Sequence, residues 1–323
     1  MRKISRKLSG KLSFPGGLKF WITIISIAFL VASIFSNLDK LQEVDINRNH
    51  FIWLFLGVIT TSTSIIINGL AWKSLVNWIG TGGLKINYLR IFIETNAYKY
   101  APGGVWHFVG RVKELNAYMP YQKSLISVLL EPLLMLVSSL ILIPLSGINK
   151  WLSIICFFSL LVFHPLLINP VYKRLQLFKA SQIEDALPNS AISNSSLNIE
   201  IRDSGYPLFP LLVEIGFILM RFGGFWCCLN AFSIHGAVSL NQWIGYFALA
   251  WGVGLVVPAA PGGLGVFESV FLIRVADSIP AAPLIASLLC YRIISTISDF
   301  IILINPYSLA RITNNIKINS FRR

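Results

Sequence analysis

Long apolar runs, separated by short polar stretches, dominate the pattern of this chain. Runs close to the roughly 20 residues needed to cross a hydrocarbon layer as a helix fall at 18–36, 51–79, 122–147, 151–169, 207–233 and 281–305, which predicts six full spans. Two further apolar segments, 88–112 and 239–275, are broken in the middle by Ala101-Pro102-Gly103-Gly104 and by Ala260-Pro261-Gly262-Gly263. Proline removes a backbone donor and pushes the residue before it out of the helical region, and paired glycines permit a sharp reversal. Each broken segment is therefore expected to form a helical hairpin that dips into the membrane. Its turn must be shielded by protein or by a water-filled cavity, because lipid offers the free backbone groups no partner.

The expected fold is thus an all-α polytopic membrane protein of about six full transmembrane helices plus two re-entrant helical hairpins. It reads as one membrane domain in five parts. Residues 1–50 hold a basic N-terminus and the first span, 51–147 a first half, and 148–206 a connecting span and polar linker. Residues 207–305 form a second half, and 306–323 a basic tail.

Charge placement orients these elements. Arg2, Lys3, Arg6, Lys7 and Lys11 put the N-terminus in the cytoplasm, and the 37–50 loop, with Asp39, Glu43 and Asp45 against Lys40 and Arg48, falls outside. Lys85, Arg90, Lys113, Lys123, Lys173, Arg174, Lys179, Arg202, Arg311, Lys317, Arg322 and Arg323 then lie on the inner side. The expectation is a multi-pass protein of the cytoplasmic (cell) membrane with both termini cytoplasmic. In this arrangement the first hairpin enters from inside and the second from outside, so the halves are inverted repeats. An offset of 159 superposes the two Ala-Pro-Gly-Gly turns and pairs Phe108 with Phe267.

Composition agrees with the pattern: 55% hydrophobic and 13% charged residues, with a mean hydropathy of +0.68, exceed what a soluble chain hides in one core. The net charge of +13 sits at the chain ends and in loops, which favours membrane topology and excludes nucleic acid as the expected partner. The basic N-terminus precedes a long apolar run without an Ala-x-Ala exit and reads as an uncleaved first span. Cys156, Cys227, Cys228 and Cys290 lie inside apolar runs and read as lipid-embedded thiols, with no metal-ligand spacing around them. There is no ATP-binding loop and no Asp-x-Asp motif in the polar loops, and no cofactor is expected.

Interrupted helices at corresponding positions of inverted halves point to a transport site near the bilayer midplane. Each Pro-Gly-Gly turn would begin a half-helix, at Val105 and at Leu264, whose free amides can receive an anionic group such as a lipid phosphate. Close helix packing is the alternative use of such glycines. Ionisable residues inside apolar segments are costly and are candidates by default: Glu94, Lys99, His107, Arg111, Glu131, Glu214, Arg221, Glu268, Arg274, Arg292 and Asp299. Lys99, Arg274 and Glu94 also fit the interface, where they would snorkel. Arg111 and Arg292 suit a phosphate, or alternatively internal ion pairs with Glu131, Glu268 or Asp299. His107 reads either as a proton-coupling group or as a hydrogen-bonded structural histidine. Trp53, Trp72, Trp78, Trp151 and Trp243 fall near span ends and are expected to be interfacial anchors.

The run Pro258-Ala259-Ala260-Pro261-Gly262-Gly263-Leu264-Gly265-Val266-Phe267-Glu268 resembles the signature of the lysylphosphatidylglycerol synthase transmembrane-region family. Tyr98-Lys99-Tyr100-Ala101-Pro102-Gly103-Gly104-Val105-Trp106 resembles that family's first re-entrant motif, and Tyr291-Arg292 its Tyr-Arg pair in the last helix. Glu131 resembles the acidic residue of a Glu-Arg pair, with Pro132 in place of the arginine, and the last span lacks the proline that often follows Tyr-Arg. The resemblance implies a stand-alone lipid-translocation scaffold, without the fused synthase domain and with its lipid open.

The expected function is a flippase or transporter of an anionic lipid or lipid-linked intermediate rather than an enzyme. Its substrate-binding set would be Pro102, Gly103, Gly104, Trp106, His107, Arg111, Glu131, Pro261, Gly262, Gly263, Glu268 and Arg292, with rocking of the halves as its motion. Two alternatives stand beside it: a membrane-embedded transferase on a lipid carrier, with Glu268, Asp299 or His107 as base, and a non-catalytic partner of a glycosyltransferase or polysaccharide assembly system. A glycosyltransferase or a second copy of the chain is the protein partner these readings allow.

Overall fold

The computed structural model describes residues 48–81, 86–100, 105–164, 167–168, 205–257, 266–275 and 278–304. The span expected at 18–36, most of the polar linker and both Pro-Gly-Gly turns lie outside the described residues. Among the described residues the protein is all-helical.

Four helices are long and apolar enough to cross a membrane: α1 (Arg48–Val76), α4 (Tyr121–Leu142), α6 (Leu208–Ala231) and α9 (Ala281–Ile304). Even the shortest, the 22-residue α4, extends for about 33 Å at ~1.5 Å per residue, more than the ~30 Å of a hydrocarbon core. Several of their hydroxyl residues are reconciled with an apolar medium by bonding backward. The Thr60, Thr63, Ser64 and Ser74 side chains in α1, and Ser127 and Ser139 in α4, donate to carbonyls three or four residues earlier.

The run at 151–169 behaves differently from its expectation as a full span. Its described helix, α5 (Lys150–Phe158), is followed by a 3₁₀ turn, Ser159–Phe163, and His164 is extended with ψ 137°. The helical part, Lys150–Phe163, is shorter than a crossing requires. The reason is local: His164 precedes Pro165, and proline disfavours the helical region for its predecessor.

The two broken segments appear as helix pairs on either side of their breaks. In the first, α2 (Tyr88–Asn96) and a 3₁₀ turn (Ala97–Tyr100) precede the break and α3 (Trp106–Asn116) follows it, with α2 packed on α3. In the second, α7 (Leu240–Val256) precedes and α8 (Val266–Val275) follows, again side by side. Val257, ahead of Pro258, is extended with ψ 115° and ends α7. Side-chain caps start the first arm of each pair. Asn87 accepts from Arg90 N at 3.2 Å, and Ser239 forms a reciprocal capping box with Gln242.

The most intimate helix pair joins the halves: α1 packs along α6. Small residues make this possible. A Cβ on Gly224 would overlap the Thr61 hydroxyl, and a Cβ on Gly57 would stand 3.0 Å from Ile294 Cδ1 and 3.4 Å from Cys227 Cβ. Helix α9 is tied to both partners by hydroxyl donors, Ser298 to Val58 O at 3.2 Å and Ser287 to Cys228 O at 3.4 Å. Around this spine the second half buries an aromatic cluster of Phe225, Trp243, Phe247, Phe267, Phe271 and Tyr291. The first half closes over aliphatic residues of α4, with Trp72 and Phe92 buried beside α2. Trp72 and Trp243 are fully buried, which corrects the expectation that they anchor at the lipid interface. The Trp72 ring lies against Tyr88 and Phe92, and the Trp243 indole donates to His235 O at 3.0 Å.

Candidate functional site

Arg111, on the second turn of α3, is 1% exposed and forms an ion pair with Glu131 of α4, itself 4% exposed. Its Nε also donates to Thr95 Oγ1 at 3.3 Å, and Thr95 is held by its own hydrogen bond to Ile91 O at 2.6 Å. The guanidinium lies 4.1 Å from the Phe92 ring centroid and 5.3 Å from that of Trp72. Carboxylate, hydroxyl and two aromatic faces thus receive a charge that isolation in this environment would make prohibitive. Glu131 reaches it from α4 one residue before Pro132, which lies inside the helix.

The second half repeats the arrangement with its charges exchanged. Here the acid is on the helix after the break: Glu268 of α8 accepts from Arg292 Nε of α9 at 2.7 Å. The side chains are 14% and 19% exposed, and the Arg292 guanidinium lies 5.0 Å from the Phe267 ring. In both halves, then, the helix after the break is ion-paired to the long helix that follows it. A third pair crosses between halves. Lys99, just before the first break, meets Asp299 of α9 at 2.7 Å, and Asn96 donates to the same carboxylate at 3.1 Å.

Helix α6 carries two further buried ionisable groups on one face, seven residues apart. Glu214 is fully buried, and neither of its carboxylate oxygens has a hydrogen-bond partner among the described residues. Its electrostatic neighbours are Glu131 and Arg111. Arg221 is 8% exposed, and its guanidinium faces the rings of Trp251 at 5.7 Å and Tyr291 at 6.0 Å.

Of the sequence-level candidates, Arg111 with Glu131 and Arg292 with Glu268 are brought together in pairs. Trp106 is exposed at the start of α3, and the His107 ring packs at 3.8 Å on that of Phe108. Pro102, Gly103, Gly104, Pro261, Gly262 and Gly263 lie outside the described residues. Glu94 pairs with Arg90 one turn earlier on the surface of α2, and Arg274 is exposed. Thr95, Asn96, Phe92 and Trp72 were not legible as site residues, since only the folded contacts bring them to Arg111 and Asp299. No group of three or more metal-ligating side chains occurs among the described residues. Searches against family models and curated proteins give no match.

Proposed function

We propose that this protein moves an anionic lipid, or a lipid-linked intermediate, across the cytoplasmic membrane, with both termini cytoplasmic and the two helix pairs acting as re-entrant hairpins. The observation that carries the reading is the charge gathered inside an apolar bundle: Arg111 with Glu131, Arg292 with Glu268, and Lys99 with Asp299. Ionisable residues at membrane depth are costly and mark pathways by default. The resemblance of the two Pro-Gly-Gly segments and of Tyr291-Arg292 to a lipid-flippase scaffold points the same way. In this reading a lipid phosphate competes with Glu131 or Glu268 for the arginine. Capture of the phosphate frees the hairpin from the long helix beside it, and release lets the ion pair close again.

The test is transbilayer movement of fluorescent anionic lipids in vesicles reconstituted with the purified chain. Wild type is expected to accelerate it, and Arg292→Ala or Arg111→Ala to slow it by about tenfold or more, the loss of a charge-assisted contact. Folded protein that moves no lipid sinks this reading. It would favour a non-catalytic membrane partner of a glycosyltransferase, a role that ion pairs closed upon themselves also suit.

A further inference from the structure

Among the described residues, Arg221 is the one buried cation without a carboxylate at ion-pair distance. Arg111, Lys99 and Arg292 each have one. Glu214, seven residues earlier on the same helix, stands about 10 Å away at ~1.5 Å per residue. Its electrostatic neighbours are Glu131 and Arg111 instead. Lys99 adds a second positive charge within electrostatic reach of Arg221.

The surroundings of Arg221 are polar as well as aromatic. Tyr291 of α9 is 2% exposed and Ser295, one turn later, 9%. The Tyr291 hydroxyl faces both Arg221 and Ser295. Tyr291 Oη, Arg221 Nε and Ser295 Oγ thus stand beside one another, yet none of the three makes a hydrogen bond of full geometry among the described residues. An orphaned buried donor costs a good part of its desolvation energy, and a buried unpaired charge costs more. Here three polar atoms that meet one another only loosely, one of them on a fixed cation, share one locus between α6, α7 and α9. A guanidinium flanked by two hydroxyls matches a phosphate oxyanion, which accepts from all three.

We propose that Arg221, Tyr291 and Ser295 form an anion-binding subsite that holds a phosphate group at the middle of α6. The phosphate is carried either by a lipid headgroup or as free inorganic phosphate. The lipid source rests on the transport function proposed above; the subsite itself does not. Arg221 and Tyr291 contact the phosphate oxygens, and Trp251 supplies an aromatic face for the guanidinium.

The experiment uses the purified full chain in a phosphate-free detergent. Ligand-dependent shifts of the thermal midpoint are titrated with dihexanoyl phosphatidylglycerol, with inorganic phosphate and, as a phosphate-free control, with dihexanoylglycerol. Saturable stabilisation by the phosphatidylglycerol, but not by dihexanoylglycerol, is expected. Arg221→Gln should weaken it about ten- to a hundredfold, as loss of a charged hydrogen-bonding partner does. Tyr291→Phe and Ser295→Ala, which remove one oxygen each and leave the charge and packing, should weaken it by several fold. They also serve if Arg221→Gln fails to fold. Equal stabilisation by inorganic phosphate assigns the subsite to free phosphate, and its absence assigns it to a lipid headgroup. No stabilisation by either probe, or stabilisation unchanged in all three variants, overturns the proposal. Lipid transport that survives Arg221→Gln removes the lipid headgroup as the subsite's ligand in transport and leaves the transport reading standing. Arg221-dependent binding without any transport does the reverse.

Discussion

The two helix pairs solve the same problem with opposite charges. In the first, the helix after the break contributes the cation, Arg111, and the long helix the acid, Glu131; in the second, the helix after the break contributes Glu268 and the long helix Arg292. They also differ in depth. The first pair is almost wholly enclosed and supported by Thr95, Phe92 and Trp72, while the second retains access at 14% and 19% exposure. A buried pair mainly enforces one arrangement, because losing either partner strands the other. A partly open pair can exchange partners at lower cost. The first helix pair is therefore the anchored one and the second the more accessible; in the transport proposed above, an incoming anion would meet its arginine at the second.

Substitutions can break that contrast. Glu131→Gln should destabilise the protein by about 3–5 kcal/mol, the range for stranding a buried charge, read as loss of thermal stability in detergent. Glu268→Gln should cost less, about 1.5–3 kcal/mol for a charged hydrogen bond; equal losses would erase the distinction between the two helix pairs. The double exchange Glu268→Arg with Arg292→Glu should recover most of the stability lost in either single reversal, by a coupling of about 0.5–3 kcal/mol in the double-mutant cycle. Thr95→Val, which removes only the hydroxyl behind Arg111, is expected to cost about 1 kcal/mol. The smallest effect should come from Ser239→Ala at the start of α7, about 0.5–1 kcal/mol for a lost cap, which leaves the Glu268–Arg292 pair in place.

Much of this was readable from residues alone. Four apolar runs became full-length helices, and both Ala-Pro-Gly-Gly segments are flanked by separate helices, because proline and its predecessor act locally. The same local rule, applied to His164-Pro165, would have shortened the run at 151–169, where continuous hydrophobicity outweighed it. The acids and bases were visible as a set, but their pairing was not. Arg111 and Glu131 are 20 residues apart, and Glu268 and Arg292 are 24 apart. Nothing in a period of 3.6 links residues at such distances across separate helices. Trp72 and Trp243 stand near span ends in sequence and inside the bundle in space, since neighbouring helices cover them. That Arg221 has no carboxylate beside it among the described residues is likewise a property of packing, not of pattern.

The contact of Gly57 and Thr61 with Gly224 carries a mechanical consequence. It fastens the opening helix of one half to the opening helix of the other along a small-residue seam, so the halves cannot swing past each other without parting their closest interface. In the transport proposed above, α1 with α6 would then be the chassis, and the helix pairs that flank the two breaks the travelling parts. A lock should be harmless if that is so. Gly57→Cys would put a Cβ 3.4 Å from that of Cys227, near the roughly 3.5–4.5 Å spacing of a disulfide. Oxidised vesicles should then move lipid as fast as reduced ones, whereas an arrest on oxidation would hand the motion back to the halves.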